Sequence, residues 1–226
     1  MSLDRFPPQS SGDAVPVSAT RRVYEVLREQ ILTGHLTPGE RLKVDTLKAA
    51  LTVGASPIRE ALSLLVSDQL VDRLDQRGFR VAPVSAEQFD EILKLRCALE
   101  DMALRESIAT ATEDWSEALV LAHHRMTRAG RDDPSFEALH KAFHMALLSR
   151  CASPILLKFC SQLYDLNIRY RYLAGRSGGY ERRDVSGEHA EILAAAVDQD
   201  AELAAASLVQ HYRRTGQYLA SQLSDL

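Results

Sequence analysis

The sequence contains few cysteines and no long hydrophobic run. Its three cysteines, Cys97, Cys151 and Cys160, are odd in number and form no CxxC pair. This excludes a disulfide framework and a thiolate zinc site, and it predicts reduced, mostly buried thiols. No apolar run approaches the roughly 18 residues that span a bilayer, and the N-terminal stretch MSLDRFPPQSSGDAVPVS lacks the apolar core of a secretion signal. We therefore expect a cytoplasmic protein with no membrane partner.

The 226 residues have the composition of a globular protein. Hydrophobic residues make up 46% and charged residues 26%, with a net charge of −4, which excludes a wholly disordered or fibrous chain. The length allows one or two domains. Residues 18–84 carry 10 Lys/Arg against 8 Asp/Glu, whereas residues 85–226 carry 16 against 21. This asymmetry points toward a polyanionic partner for the N-terminal part.

The N-terminal part begins with a predicted tail and two helices. Residues 1–17 are rich in Pro, Ser and Gly and lack periodicity, which is typical of a disordered tail. From Ala19 onward apolar residues return at three- and four-residue steps until Gly34, which predicts a helix that ends there. A second, short helix fits residues 45–51.

A third helix and a hairpin follow. Ser56-Pro57 suits a helix start, with Ser56 as N-cap and Pro57 at the first helical position. Residues 71–74 and 79–82 are short apolar–polar pieces joined by a polar turn with glycine, which predicts a β-hairpin. The order helix, helix, helix, hairpin predicts a winged helix-turn-helix DNA-binding domain over residues 18–84.

Residues 85–226 carry only helical patterns. The predicted helices cover residues 86–109, 113–129, 134–150, 154–173, 187–198 and 201–221. The expected fold is therefore mainly α: an N-terminal winged helix-turn-helix followed by an all-helical bundle of about six helices.

Five residues of the N-terminal domain are candidates for DNA contact. The first residues of the second motif helix face base edges in such domains, and flanking elements hold phosphates. Arg59 lies one turn into that helix, where a guanidinium can reach guanine O6 and N7, and Ser56 can donate to a base or a phosphate. Arg77 and Arg80 flank Gly78 at the hairpin tip, which suits a wing. One arginine alone is usually a solvated surface charge, but the ordered set favours DNA.

Four of the seven histidines fall on apolar helix faces. His140 and His144 are four residues apart and share one face, while His189 and His211 lie among apolar residues of two other helices. Neutral imidazoles on facing helices of a bundle commonly hold a divalent metal. A single inward histidine is more often an ordinary core residue, but four of them favour a metal site.

Two segments carry the pattern of a known family: YEVLREQILTGHLTPGERL and ASPIREALSLLVSDQLVDRLDQRGFRVAPVS. They resemble the GntR family of bacterial transcription regulators over roughly residues 21–85. The helical remainder resembles the FCD effector domain of the FadR-like branch, and its six helices are closer to the shorter VanR-type version. The resemblance implies a metabolite-responsive regulator that binds a palindromic double-stranded operator as a homodimer. It also assigns residues 85–226 to effector binding and dimerisation.

One departure concerns operator choice. The family usually has a Ser-Arg-[Thr-]Pro run before the recognition helix, whereas this chain has Gly54, Ala55, Ser56 and Pro57. Gly54 and Ala55 cannot make those polar contacts. Because Arg59 is retained, we expect DNA binding with an altered operator preference; one lost bidentate contact is worth roughly 1–3 kcal/mol.

The resemblance also implies a metal cofactor. VanR-type FCD domains hold a metal with one Asp and three His, the Asp four residues before the first His. His144, His189 and His211 match the three histidines, and His140 stands at the Asp position. An all-nitrogen site favours Zn²⁺, Ni²⁺ or Cu²⁺ over Mn²⁺, with Zn²⁺ or Ni²⁺ expected first. His140 either replaces the carboxylate as a ligand or turns away and leaves three ligands.

Two further polar residues fall within apolar stripes. Arg96 and Glu100 lie in the middle of one stripe, where they form either an internal ion pair or a guanidinium that faces a cavity, ready for a ligand carboxylate. Asn167 either bonds a neighbouring helix or contacts the ligand. FCD domains that this chain resembles bind small organic acids whose carboxylate reaches the metal. The resemblance therefore places Arg96 and Asn167 in the effector site.

Two other classes of protein compete with this interpretation. A metal-dependent hydrolase could use the four histidines, with Glu100 or Glu188 as general base. The sequence has no HExxH motif, and the N-terminal domain would have no role in a hydrolase, so we expect no enzyme. A constitutive DNA-binding protein whose helical domain only dimerises is the other alternative.

Overall fold

The structure is a computed structural model. It describes residues 18–75, 77–130, 133, 135–173 and 183–223, so the predicted tail lies outside the described residues. The chain divides into two compact units. The first comprises residues 1–85 and 168–175, and the second comprises residues 86–167 and 176–226.

The first unit is a winged helix-turn-helix, as the sequence predicts. Its helices are α1 (Ala19–Leu32), α2 (Val44–Leu51) and α3 (Ala55–Ser67), and its strands are β1 (Arg41–Leu42), β2 (Val71–Leu74) and β3 (Gly78–Val81). The strands form an antiparallel sheet in the order β1-β3-β2. Strand β1 is not predicted from the sequence, because two residues are too few to show an alternating pattern.

The packing of α1 against α3 leaves one face of α3 exposed. Leu27 of α1 and Leu62 of α3 are fully buried. At the ends of the contact, the Tyr24 hydroxyl donates to Asp68 over 2.7 Å and the Thr20 hydroxyl donates to Glu60 over 2.8 Å. The helix that carries the predicted DNA-reading residues is therefore held from behind.

The start of α3 differs from the sequence prediction. The helix begins at Ala55, with Gly54 as an extended N-cap, so Ser56 is its second residue and Pro57 its third. Pro57 is tolerated because the first N–H groups of a helix have no partner within the helix. Ser56 does not cap the helix; its hydroxyl donates to Glu60 over 3.0 Å.

The second unit contains all six predicted helices, with ends displaced by a few residues. They are α4 (Ala86–Ala109), α5 (Glu113–Arg128), α6 (Phe136–Leu147), α7 (Pro154–Leu173), α8 (Val185–Val197) and α9 (Ala201–Leu223). The last six residues of α7 belong to the first unit. No single helix among the described residues is long and apolar enough to cross a membrane; α2 and α3 meet that test only as a pair, bent by 112°.

The core of the second unit is an apolar cluster to which all six helices, α4 to α9, contribute. Leu104, Phe143 and Leu208 are fully buried within it. The indole N–H of Trp115 in α5 donates to the carbonyl of Ala146 in α6 over 2.9 Å. This core fixes the helices that carry the inward histidines.

Two leucines of α9 test how much the core contributes. Leu208 is fully buried and Leu203 is 55% exposed. We expect Leu208→Ala to lower the free energy of unfolding by about 2–5 kcal/mol through lost transfer energy and a cavity, and Leu203→Ala to change it by less than about 0.5 kcal/mol. Urea denaturation followed by fluorescence of Trp115, the single tryptophan, reports on this unit. Equal effects of the two substitutions would contradict the packing.

Candidate functional site

A groove in the first unit brings the recognition helix and the wing together. It measures about 340 Å³ and is lined by Arg59, Arg73, Leu74, Asp75, Gly78 and Phe79. Arg59 is exposed. Gly78 has a φ of +91°, which favours glycine, and nothing lies within 4 Å of where a side chain would start. The wing tip can therefore approach another molecule closely at this point.

The other predicted DNA-contacting residues, Ser56, Arg77 and Arg80, are not among those that line this groove. Arg77 is exposed in the turn of the wing. Arg80 faces Asp72 across the β2–β3 pair, and its Nε and Nη2 donate to one oxygen of that carboxylate over 3.0 and 2.9 Å. Its charge is therefore partly neutralised within the domain, whereas no carboxylate of the described residues pairs with Arg59. Ser56 is exposed and bonded to Glu60.

Four imidazoles from three helices converge inside the second unit. His140 and His144 come from α6, His189 from α8 and His211 from α9; all four are buried, and one ring nitrogen of each lies within 4.8 Å of the others. The Nε2 atoms of His140 and His144 are 3.3 Å apart. Tetrahedral nitrogens at about 2.0–2.1 Å from Zn²⁺ are themselves about 3.4 Å apart. The four-histidine cluster therefore fits a divalent metal in its donor type and in this spacing.

The two imidazoles of α6 are held from outside the cluster by tyrosines. The Nδ1 atom of His140 contacts the Tyr164 hydroxyl at 2.5 Å, and the Nδ1 atom of His144 contacts the Tyr212 hydroxyl at 2.9 Å. Because Nδ1 is engaged, Nε2 of each ring points toward the other. Such outer partners fix the orientation and the tautomer of metal-binding histidines.

Glu188 holds the ring of His211 in the same way. Its Oε2 lies 2.8 Å from His211 Nδ1, and the carboxylate also accepts from Arg183 and from Arg214, the latter over 3.1 Å. Burial opposes ionisation, but the hydrogen bonds from His211 and Arg183 hold the pKa of Glu188 well below its usual range. Burial lowers the pKa of His211 to about 4. The imidazole is therefore neutral near pH 7, and its Nδ1–H donates to Glu188.

Arg96 lies beside the cluster in a fully buried polar group. Its Nε donates to Glu100 over 2.7 Å and its Nη1 donates to Asn167 over 3.0 Å. The guanidinium carbon is 4.0 Å from the ring centre of Tyr212 and 5.1 Å from that of Tyr164. Burial opposes its charge, but Glu100 raises its pKa above the ordinary value. Its Nη2 is buried and meets no hydrogen-bond acceptor among the described residues.

Of the two interpretations of Arg96 that the sequence left open, the internal ion pair is the one seen, since Arg96 lines neither the groove described above nor the cavity described below. The ion pair with Glu100 is present, and one arm of the same guanidinium is still available to an acceptor.

Both parts of the chain match known families. Residues 19–81 match the bacterial regulatory proteins of the gntR family, and residues 91–214 match the FCD domain. The chain belongs to the GntR family. It is a DNA-binding transcription regulator with an FCD effector domain, as the sequence predicts.

Relatives and solved structures agree with this assignment. This GntR regulator is 35% identical to the HTH-type transcriptional regulator BphR of Paraburkholderia xenovorans (strain LB400), over 90% of this chain and 88% of BphR. It is 31% identical to the HTH-type transcriptional repressor GlaR of Escherichia coli (strain K12), over 88% and 90% of the two chains. The structure of E. coli McbR/YncC is similar over 92% of this chain and 99% of that chain, with a TM-score of 0.78 and 27% identity. These proteins are regulators rather than enzymes, so the hydrolase alternative is set aside.

A cavity approaches the four-histidine cluster of this GntR regulator from one side. It measures about 130 Å³ and is lined by Met126, Thr127, Ala129, Gly130, Phe136, Val185, Ser186 and His189. Polar and apolar surface contribute about equally to this lining, and the ring of Phe136 stacks on that of His140 with centres 5.7 Å apart. The cavity offers a route by which a small molecule reaches His189.

Several site residues were missed by sequence reasoning. Tyr164 and Tyr212 lie on helical faces that the sequence marks only as apolar, and Arg73 in the groove has no pattern that separates it from Arg77. His123, which is not one of the four inward histidines named from the sequence, is half-buried with its ring centre 5.3 Å from that of Phe143. The relative rotation of packed helices decides these placements.

Two glutamates of α8 test the electrostatic support of His211. Glu188 is bonded as described, whereas Glu191 is exposed. We expect Glu188→Gln to lower the free energy of unfolding of chelator-treated protein by about 1–3 kcal/mol at about pH 7, and Glu191→Gln to change it little. Because the folded-state pKa of Glu188 is depressed, this contribution is present above the unfolded value of about 4.3 and is lost as the pH falls below it. Urea denaturation at several pH values would refute this if the difference grew in acid.

Proposed function

We propose that this GntR regulator binds a palindromic operator as a homodimer and that a small organic acid, bound beside a divalent metal in the FCD domain, modulates that binding. The observation that carries the proposal is the buried guanidinium of Arg96 beside a cluster of four imidazoles. Its Nη2 group meets no hydrogen-bond acceptor among the described residues. Because a regulator of this kind would act on operator DNA, we expect it to act in the cytoplasm.

The reading groove supports the DNA part of the proposal. Arg59 is exposed one turn into α3 and can reach a guanine edge in the major groove. Ser56, Arg77 and Gly78 suit contacts to the backbone or the minor groove, because they lie at the helix start and the wing tip. Arg80, which is paired with Asp72, suits a phosphate contact that contributes less.

Exposed apolar side chains support the homodimer. Leu95 and Met102 of α4 and Ile155 and Phe159 of α7 are between 41% and 71% exposed. The spacing of seven residues in α4 and of four residues in α7 puts the two members of each pair on one face of their helix, and an exposed apolar helix face suits a protein interface. A two-fold pair also presents two recognition helices to the two half-sites of a palindrome.

The donor set supports a transition metal. The ligands would be His140, His144, His189 and His211, and four neutral imidazoles favour Zn²⁺ or Ni²⁺ over harder ions. When bound, the ion supplies positive charge and a coordination position for a carboxylate oxygen. Glu188, Tyr164 and Tyr212 would not be ligands. They hydrogen-bond the imidazoles and so hold them in position around the ion.

Arg96 and Asn167 support a carboxylate as the effector. The free Nη2 arm of Arg96 would donate to the acid, and such a charge-assisted bond contributes roughly 1.5–3 kcal/mol. Asn167 keeps Nη1 engaged, so that the acid competes for one arm rather than for the whole guanidinium. Binding of the acid would then change operator affinity by a coupling that is typically about 1–3 kcal/mol.

Two substitutions of Arg59 separate base reading from charge. We expect Arg59→Ala to abolish specific operator binding with the fold intact, and Arg59→Lys to keep non-specific affinity while losing most specificity, because lysine lacks the bidentate fork. Selection of bound fragments from random DNA supplies the operator, and footprinting at fixed salt measures the variants. Arg80→Ala is the control, with a smaller loss expected. An unchanged footprint of Arg59→Ala would overturn the assignment.

Metal analysis tests the four-histidine cluster. We expect about one divalent ion per chain in protein purified without chelator, and its loss in His144→Ala or His189→Ala, since each of these residues supplies a ligand whether the site has four histidines or three. His124→Ala is the control, because His124 is exposed. A wild-type protein that is empty and also fails to take up Zn²⁺ or Ni²⁺ would reject the site.

The effector part is tested by Arg96→Met, which keeps the bulk and removes the charge. We expect this variant to bind the operator normally and to lose its response to any acid that releases the wild-type protein in a screen of small organic acids. Arg105→Met on the same helix is the control, because Arg105 pairs with Asp101 and Glu202 at the surface. If calorimetry showed that Arg96→Met binds the acid with wild-type affinity, Arg96 would have only a structural role. If no acid alters operator binding, the constitutive alternative holds.

A further inference from the structure

Tyr212 lies between the four-histidine cluster and Arg96. Its hydroxyl is 2.9 Å from Nδ1 of His144 and 2.5 Å from Oε2 of Glu100. The other carboxylate oxygen of Glu100 accepts from Nε of Arg96 over 2.7 Å. All four side chains are buried, with at most 4% of each residue exposed. An unbroken series of hydrogen bonds thus joins His144, Tyr212, Glu100 and Arg96.

One arrangement of protons satisfies every contact in this series. The hydroxyl of Tyr212 contacts one group on each side, and a phenolic O–H can donate to one of them and accept from the other. A carboxylate that faces a guanidinium only accepts, so Tyr212 donates to Glu100. The remaining contact is then a donation from Nδ1–H of His144 to the oxygen of Tyr212. This leaves the lone pair of His144 on Nε2, toward the cluster.

We propose that Tyr212 is the residue that couples occupancy of the four-histidine cluster by a metal to the hydrogen bonding of Arg96. The inference rests on the metal site proposed above. Ligation through Nε2 requires the Nδ1–H tautomer that the series already imposes, so the metal fixes His144, and His144 fixes the hydroxyl of Tyr212. That hydroxyl holds Oε2 of Glu100, whose Oε1 sets the direction of Arg96.

Tyr164 provides the matched comparison. Its hydroxyl contacts Nδ1 of His140 at 2.5 Å, and its ring lies 5.1 Å from the guanidinium carbon of Arg96. It therefore also supports a cluster histidine and also faces Arg96. Among the described residues no hydrogen bond joins Tyr164 to Glu100, whose Oε2 accepts from Tyr212 instead. A purely structural role for a tyrosine here would affect both tyrosines alike.

The test follows Arg96 directly while Zn²⁺ alone is added to the full-length protein. Arginine Nε–H resonances are recorded in ¹⁵N-labelled protein, and that of Arg96 is assigned by its loss in Arg96→Lys. Calorimetry establishes Zn²⁺ saturation for wild type, Tyr212→Phe and Tyr164→Phe. We expect each variant to bind Zn²⁺ about 10-fold to 100-fold more weakly, because each loses an outer partner of a ligand.

The Arg96 resonance then separates the outcomes. We expect Zn²⁺ to shift it in wild type and in Tyr164→Phe, and to shift it far less in Tyr212→Phe. An equal shift in all three proteins would show a direct field of the ion, and an absent shift in Zn²⁺-saturated wild type would show no coupling; either result overturns the inference and leaves the metal site standing. Failure of wild type to bind Zn²⁺ would instead overturn the proposed metal site and this inference with it.

A folding control keeps the test decisive. Thermal melting by circular dichroism shows whether each variant is folded at the temperature of the spectra. Should Tyr212→Phe be unfolded, Glu100→Gln, which weakens the same series one step closer to Arg96, takes its place. Retention of the full Zn²⁺-induced shift in that variant would count against the relay.

Discussion

The burial of a guanidinium within a helical bundle is the constraint that organises the second unit. Arg96 cannot remain charged there unless acceptors surround it, and Glu100 and Asn167 supply them from the same helix and from α7. The second carboxylate oxygen of Glu100 in turn requires a hydrogen-bond donor, and the hydroxyl of Tyr212 supplies one. Because Tyr212 also meets His144, the solution to a problem of buried charge fixes one imidazole of the proposed metal site.

The two units divide the work of a regulator between exposed and buried charge. In the first unit Arg59, Arg73 and Arg77 lie at the surface, where a polyanion can reach them, and Arg59 and Arg73 are the arginines that line the groove. In the second unit Arg96 is shielded from water, so its hydrogen bonds are directional and strong. The first arrangement suits a long charged partner, and the second suits a small ligand with one or two carboxylates.

Much of this architecture follows from sequence periodicity, and the remainder depends on contacts that periodicity does not encode. The six helices of the second unit and the inward faces of the four histidines follow from apolar spacing, which is a local property. The start of α3 was misplaced because Ser-Pro is a common helix start, although Gly54 takes the N-cap. The pairing of Asp72 with Arg80 depends on strand register, and the contacts of Tyr164, Tyr212 and Glu188 depend on how packed helices rotate relative to each other.

The identity of residue 140 has an electrostatic consequence for the proposed site. A carboxylate ligand at that position would cancel one of the two positive charges of a bound ion, whereas the imidazole of His140 cancels none. The nearby carboxylates act from outside: Glu188 accepts from His211, and Glu100 accepts from Tyr212. Each of these glutamates touches an imidazole or a phenol and is not a member of the four-histidine cluster. An ion bound there would therefore keep more of its attraction for an external anion than one with a carboxylate ligand, while the same glutamates would hold the ligands in place, as the proposed site for an acidic effector requires.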